Sequence, residues 1–202
     1  MKLKNGLNLI MNKLLLILIL TFSFQSWTKA DDIRDFEIEG MSIGDSLLDF
    51  FNEEEIIKNI DKNMFKELDG KFKTSGFYRS FGNYEGMQFS FKINDRKYII
   101  YGFTAGIFYS DFQKCKKKMK SISKDLSSLF SNAEISIGNK SIIAVDKTGK
   151  SHEIADYFDL KNGYSKLSCV DWSDEITSQY EWSDNLRLEV VSKEYADWLP
   201  KQ

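Results

Sequence analysis

The 202-residue chain is poor in the residues that most often mark a site or a linker: one histidine, one proline (Pro200) and two cysteines. Without an H-x-x-H or C-x-x-C pair, it lacks the spaced ligands from which zinc centres are built. The acidic runs, Asp171 to Glu175 among them, lack the D-x-D-x-D-G spacing of a calcium loop. No metal or cofactor is therefore expected. The solitary proline near the end, with no repeat or low-complexity block, argues against a linker that divides the chain. A run of about 20 apolar residues, the length a membrane-spanning helix needs, is also missing.

The longest apolar run, Leu14 to Phe24, is eleven residues within "KLLLILILTFSFQSWTKA", residues 13 to 30. A lysine before it and Thr28-Lys29-Ala30 after it give the three parts of a secretory signal peptide, with Asp31 as the mature N-terminus. Met11 is a second plausible start, placing the basic residue close to the apolar run. Residues 1–30 are thus expected to be a signal peptide and 31–202 a single exported domain, periplasmic in location. Removing that segment takes away Lys2, Lys4, Lys13 and Lys29 and no acid, leaving 24 basic against 30 acidic residues, a net charge of −6. An acidic chain of this kind points away from nucleic acid and anionic membranes as partners. The expected partner is an envelope protein or a small ligand, and no membrane span remains once the signal is cleaved.

The order of elements predicts an α+β fold. Phe36 and Ile38 alternate with Glu37 and Glu39, which suggests a short strand over 35–39. From Ser42 the apolar residues Leu47, Leu48, Phe50 and Phe51 cluster at helical spacing, and Asn52 before Glu53-Glu54-Glu55 begins a second short helix with the stripe Ile56, Ile57, Ile60 and Met64. Met87, Phe89, Phe91 and Ile93 alternate with polar residues as a half-buried strand does. The apolar run from Tyr98 to Tyr109 reads as a central strand, with bends or bulges at Gly102 and Gly106. Asp111 caps a long helix whose stripe, Phe112, Cys115, Met119, Ile122, Leu126 and Leu129, repeats every three or four residues, so that this face covers the sheet. The lysines around the rest of that helix form a solvated face. Strands are then expected at Ile142 to Val145, Glu153 to Leu160, 164–172 and around Leu186 to Val190, with a hairpin at Asn162-Gly163 and a short helix near Tyr195 to Leu199. The result is an antiparallel sheet of about six or seven strands, one long amphipathic helix on a face and two short N-terminal helices.

Cys115 lies in the helical stripe and Cys169 shares a strand face with Leu167. An even cysteine count in an exported protein predicts a disulfide between them, two buried thiols being the alternative.

The segment "GMSIGDSL", residues 40 to 47, holds both a G-x-S-x-G and a G-D-S-L string. In the G-D-S-L esterase family, which this stretch resembles over four residues, the serine relies on a D-x-x-H pair near the C-terminus. Here Gly149, not aspartate, stands three residues before His152. The strand before Gly40 also carries Glu37 and Glu39, unlike the buried strand that feeds a nucleophile elbow. Ser42 and Ser46 are better read as capping serines than as nucleophiles. A degenerate serine hydrolase using Ser42, Ser46 and His152 is the alternative to a binding domain without catalytic residues.

One aromatic cluster stands out as a candidate ligand surface: Trp172, Asp174, Tyr180, Trp182 and Asp184. Rings that stack and carboxylates that orient suit a sugar, a peptide or a cationic ligand. The simpler reading is that both tryptophans close strand ends and pack on the core, with Ser-Asp after each making a turn.

The segments "DIRDFEIEGMSIGDSLLDFFNEEEI", "IIYGFTAGIFY", "KCKKKM" and "CVDWSDEI" together resemble a group of small exported proteins of unassigned function from marine bacteria. The Gly-Met-Ser turn entering a helix is also similar to small α+β periplasmic modules of the envelope-assembly lipoprotein type. Both resemblances imply export and neither implies an activity.

Overall fold

The structure, a computed structural model, describes residues 30–62 and 70–200. Its frame is a seven-stranded antiparallel sheet of spatial order β1-β2-β3-β7-β6-β5-β4. The strands are β1 (Phe72–Phe77), β2 (Gly86–Lys92), β3 (Gly102–Phe108), β4 (Glu134–Ile142), β5 (His152–Leu160), β6 (Gly163–Asp171) and β7 (Asn185–Ser192). Among the described residues four helices accompany it: α1 (Glu53–Lys58), α2 (Phe112–Leu129), α3 (Asp174–Tyr180) and α4 (Lys193–Trp198). The fold is α+β.

Alternation decides which face each strand residue buries. Met87, Phe89 and Phe91 of β2, Phe103 and Ala105 of β3, Leu186, Leu188 and Val190 of β7, and Leu167 and Cys169 of β6 line one face, all at most 4% exposed. Helix α2 packs there against β6 and β7, burying Cys115, Met119 and Leu126. Asp111 starts that helix by accepting the N–H groups of Gln113 and Lys114 at 2.8 and 3.3 Å. The N-terminal segment completes the same core with Ile33, Phe36, Leu47, Phe51 and Ile56. Each such side chain contributes roughly 1.5–3 kcal/mol of transfer free energy when fully buried.

Cys115 and Cys169 form a disulfide with Cα atoms 5.9 Å apart. Strand β6 is an interior strand, so close approach comes from the helix: Cys115 sits in the first turn of α2, where the chain enters from β3. Helix and sheet are therefore joined covalently at the N-terminal end of α2.

On the opposite face α4 lays Tyr195 against Phe72, with Tyr101 and Trp198 beside it. The Tyr195 hydroxyl accepts from Ser90 Oγ at 2.9 Å. Farther along, Lys166 lies buried with its ammonium 2.8 Å from Glu153 and 3.9 Å from Glu189.

Several expectations need correction. No strand forms over 35–39. Ile38 instead bridges Met41 across a tight turn at Glu39 and Gly40, both at positive φ, 51° and 77°. Asp45 does accept the Ser42 N–H at 2.8 Å, but only a three-residue 3-10 turn, Leu47–Asp49, follows. Leu48 and Phe50 stay exposed because so short a turn cannot present one apolar face. Helix α1 runs from an Asn52 cap whose Oδ1 accepts Glu55 N–H at 2.8 Å, and Ile57 is exposed on it. Met64, part of the expected stripe, lies outside the described residues, as do residues 1–29 of the expected signal peptide. Ala30 is described: it is buried and its N–H donates to Leu129 O at 3.2 Å.

Gly102 and Gly106 lie in unbroken ladders without bulges. Gly102 is required for another reason, since a Cβ there would meet the Tyr195 ring at 2.5 Å. The irregularity falls instead in β4, between Ser136 and Asn139. That strand spans Glu134–Ile142 rather than starting at Ile142, and all nine of its residues are exposed. The β5–β6 loop is Lys161-Asn162, with Gly163 already paired to Leu160. The sequence after Trp172, read as a turn, is the helix α3, capped by Ser173 Oγ accepting Ile176 N–H at 3.3 Å.

Candidate functional site

Both motif serines are tied to main chain. Ser42 is buried and donates to Phe36 O at 3.2 Å. Ser46 donates to Lys97 O at 2.6 Å and accepts Leu48 N–H at 3.2 Å, which makes it the cap of the 3-10 turn. Gly40 and Gly44 have φ of 77° and 99°, so the glycines of the string serve turns. His152 opens β5. Its Nε2 is 3.3 Å from Asp171, its Nδ1 3.3 Å from Lys150 O, and its ring stands edge-on to Phe112 at 5.3 Å. None of the described contacts joins His152 to either serine.

The aromatic residues, by contrast, converge. Trp172 follows β6 and Trp182 precedes β7; because these strands are neighbours, the two rings meet with centroids 4.8 Å apart. Tyr180 ends α3, and Glu181 then takes a left-handed conformation at φ 59° that turns the chain back on itself. Trp182 consequently stacks on Tyr180 at 5.0 Å and 28°. Arg187 of β7 completes the row, its guanidinium 5.9 Å from the Trp172 ring. Trp182 and Tyr180 remain 40% and 45% exposed, large apolar surface that the core does not consume.

The acids divide between two tasks. Asp184 accepts the Trp172 N–H at 2.8 Å while its own carbonyl accepts Tyr109 N–H at 2.9 Å, so it holds the two tryptophan segments together. Burial pushes its carboxyl above the usual range. Asp174 stands in the first turn of α3, and no described contact joins it to the rings. Helix α3 is docked by a chain of bonds: Ser173 N–H to Ser151 Oγ at 2.9 Å, and Ser151 Oγ to Asp146 at 2.6 Å. Arg187 and the His152–Asp171 pair were not singled out from sequence. Alternation with Leu186 and Leu188 puts Arg187 on the face away from the core, but only the β6–β7 register sets it beside Trp172.

Among the described residues, no group of three His, Cys, Asp or Glu side chains converges to hold a metal ion, and no helix is long and apolar enough to cross a membrane. Comparison with protein-family models, curated proteins and solved structures gives no match to this chain.

Proposed function

We propose that the protein is a non-catalytic exported binding domain, periplasmic in location, and that the row Tyr180, Trp182, Trp172, Arg187 is its ligand surface. The scaffold of this reading is an antiparallel sheet with one long amphipathic helix, α2, laid on a face and short helical turns before it. The observation that carries it is the exposed Tyr180–Trp182 stack, carried on the α3 connection between the paired strands β6 and β7. A protein interior has no use for two stacked rings left in water, whereas a ligand with a flat apolar face and polar edges does. Arg187 already lies over Trp172, so a second cation there would meet like charge. A saccharide ring therefore fits better than a cationic ligand. The signal-like segment at residues 13–30 and the resemblance to small exported proteins support the compartment.

The test is tryptophan fluorescence titrated with soluble envelope oligosaccharides. Trp182→Ala is expected to weaken binding at least tenfold and, because the ring also packs on Trp172 and Tyr180, to lower the melting temperature by a few degrees while leaving the variant folded at the temperature of titration. Equal binding by the variant would overturn the assignment of the surface. Labelling of Ser42 or Ser46 by a fluorophosphonate would overturn the non-catalytic reading.

A further inference from the structure

A cavity of about 510 Å³ opens at the other end of the sheet, where α1 meets the β1–β2 strands and the turn that follows them. Its volume lies within the range of small-molecule sites. The apolar wall is made by Ile57 of α1 and Ile60 just after it, Phe91 from β2, and Ile93 and Tyr98 from the turn. Two of these are left conspicuously in water: Ile57 is 53% exposed and Ile93 40%. The Tyr98 ring packs edge-on against Phe91 at 5.2 Å and its hydroxyl donates to Glu53 at 2.9 Å, which fixes that side of the wall.

Cations outnumber anions at the rim, three to one. Lys73, Lys92, Arg96 and Asp95 line the cavity. Asp95 is turned to the backbone, accepting the N–H groups of Lys97 and Ile99 at 2.9 and 3.0 Å. Lys92 is engaged by Glu194 at 2.9 Å and lies over the Tyr101 ring. Lys73 and Arg96 meet no carboxylate among the described residues. A hollow with one apolar wall, and with Lys73 and Arg96 at its edge outweighing the single backbone-bonded Asp95, is complementary to an amphipathic anion: chain on the wall, head group at the rim.

We infer that this cavity binds a fatty carboxylate, with Lys73 and Arg96 holding the carboxylate and Ile57, Ile60, Phe91 and Ile93 holding the chain. The site is separate from the aromatic row, and success or failure at either leaves the other untouched.

Calorimetric titration with sodium laurate below its micellar concentration tests it, with acetate and dodecyltrimethylammonium as head-only and opposite-charge probes. Laurate is expected to bind one per chain, and each of the other two at least tenfold more weakly. The double variant Lys73→Glu/Arg96→Glu should lose laurate at least tenfold and gain dodecyltrimethylammonium. Ile57→Asp, at an exposed position, should also weaken laurate. Should the double variant fail to fold by circular dichroism, Lys73→Gln/Arg96→Gln is expected to show the same loss of laurate. Absence of laurate binding, equal binding of laurate and acetate, or unchanged binding in the charge variants would each overturn the site.

Discussion

Reduction of the Cys115–Cys169 disulfide is the perturbation whose size the structure sets most directly. The bond closes a loop 54 residues in sequence separation, which takes in nearly all of α2 together with β4, β5 and most of β6. On the chain-entropy model, a loop of that length constrains the unfolded chain by about 4 kcal/mol. Reduction leaves two thiols in nearly the same space, so this entropic contribution is the main loss. The variant Cys115→Ala/Cys169→Ala also removes two sulfur atoms from positions only 1% and 0% exposed. Each removal adds roughly 1 kcal/mol, by comparison with the loss of one buried methylene group. Reduction should therefore lower stability by about 4 kcal/mol and the double variant by about 6. For a domain of this size that means a fall in melting temperature of roughly 8–16 °C on reduction, and more in the variant. Scanning fluorimetry with and without reductant, paired with urea unfolding, reads both. A fall under about 3 °C would refute the loop argument. Two alkylatable thiols in the unfolded but unreduced protein would refute the bond itself.

Four further outcomes are expected. Ser46→Ala should cost about 0.5–2 kcal/mol in urea unfolding, the worth of a cap, and a folded variant that lost a measured esterase activity would contradict the capping role. Lys166→Ala should cost about 3–5 kcal/mol, since Glu153 would be left buried without its counter-charge; a cost under about 1 kcal/mol would mean that water reaches the pair. Hydrogen bonds from Ser151, and then Thr148, hold the Asp146 carboxyl well below the usual carboxylate range, and Arg34 does the same for Asp32. A depressed folded-state value gives stability that is present above the ordinary carboxylate range, about pH 4, and is lost as pH falls towards the folded value. Asp146→Asn should flatten that acid limb in pH-dependent denaturation, and an unchanged slope would count against it. Finally, N-terminal sequencing of the exported protein should begin at Asp31, which would give up the bond from Ala30 N–H to Leu129 O; an intact Met1 or Met11 would refute cleavage.

Where one face of an element is buried, burial imprints a period on the residues and the sequence alone reveals it. Met87, Phe89 and Phe91 alternate because β2 has a core side. Cys115, Met119 and Leu126 recur at three or four residues because only one side of α2 meets the sheet. The cysteine pairing was legible from the count, since two cysteines allow one connectivity, and both belong to periodic, core-facing sets. Strand β4 was misplaced because it is the sheet edge with every residue exposed, so nothing constrains its alternation. The 47–51 cluster, although spaced like a helix, is held to a 3-10 turn by contacts from elsewhere in the chain, Ser46 to Lys97 O and Leu47 N–H to Tyr98 O. Gly102 looked like a bend and is instead room for a tyrosine ring that arrives from the far end of the chain. The candidate aromatic surface was visible as a list of residues, yet its geometry was not: the β6–β7 register brings Trp172 to Trp182 and adds Arg187, while Asp174 is carried off on α3. Local sequence thus determined which residues are buried within each periodic element. The meeting of exposed side chains, at the aromatic row and at the Lys73–Arg96 cavity alike, was decided by strand order and register, long-range pairings that leave no period in the sequence.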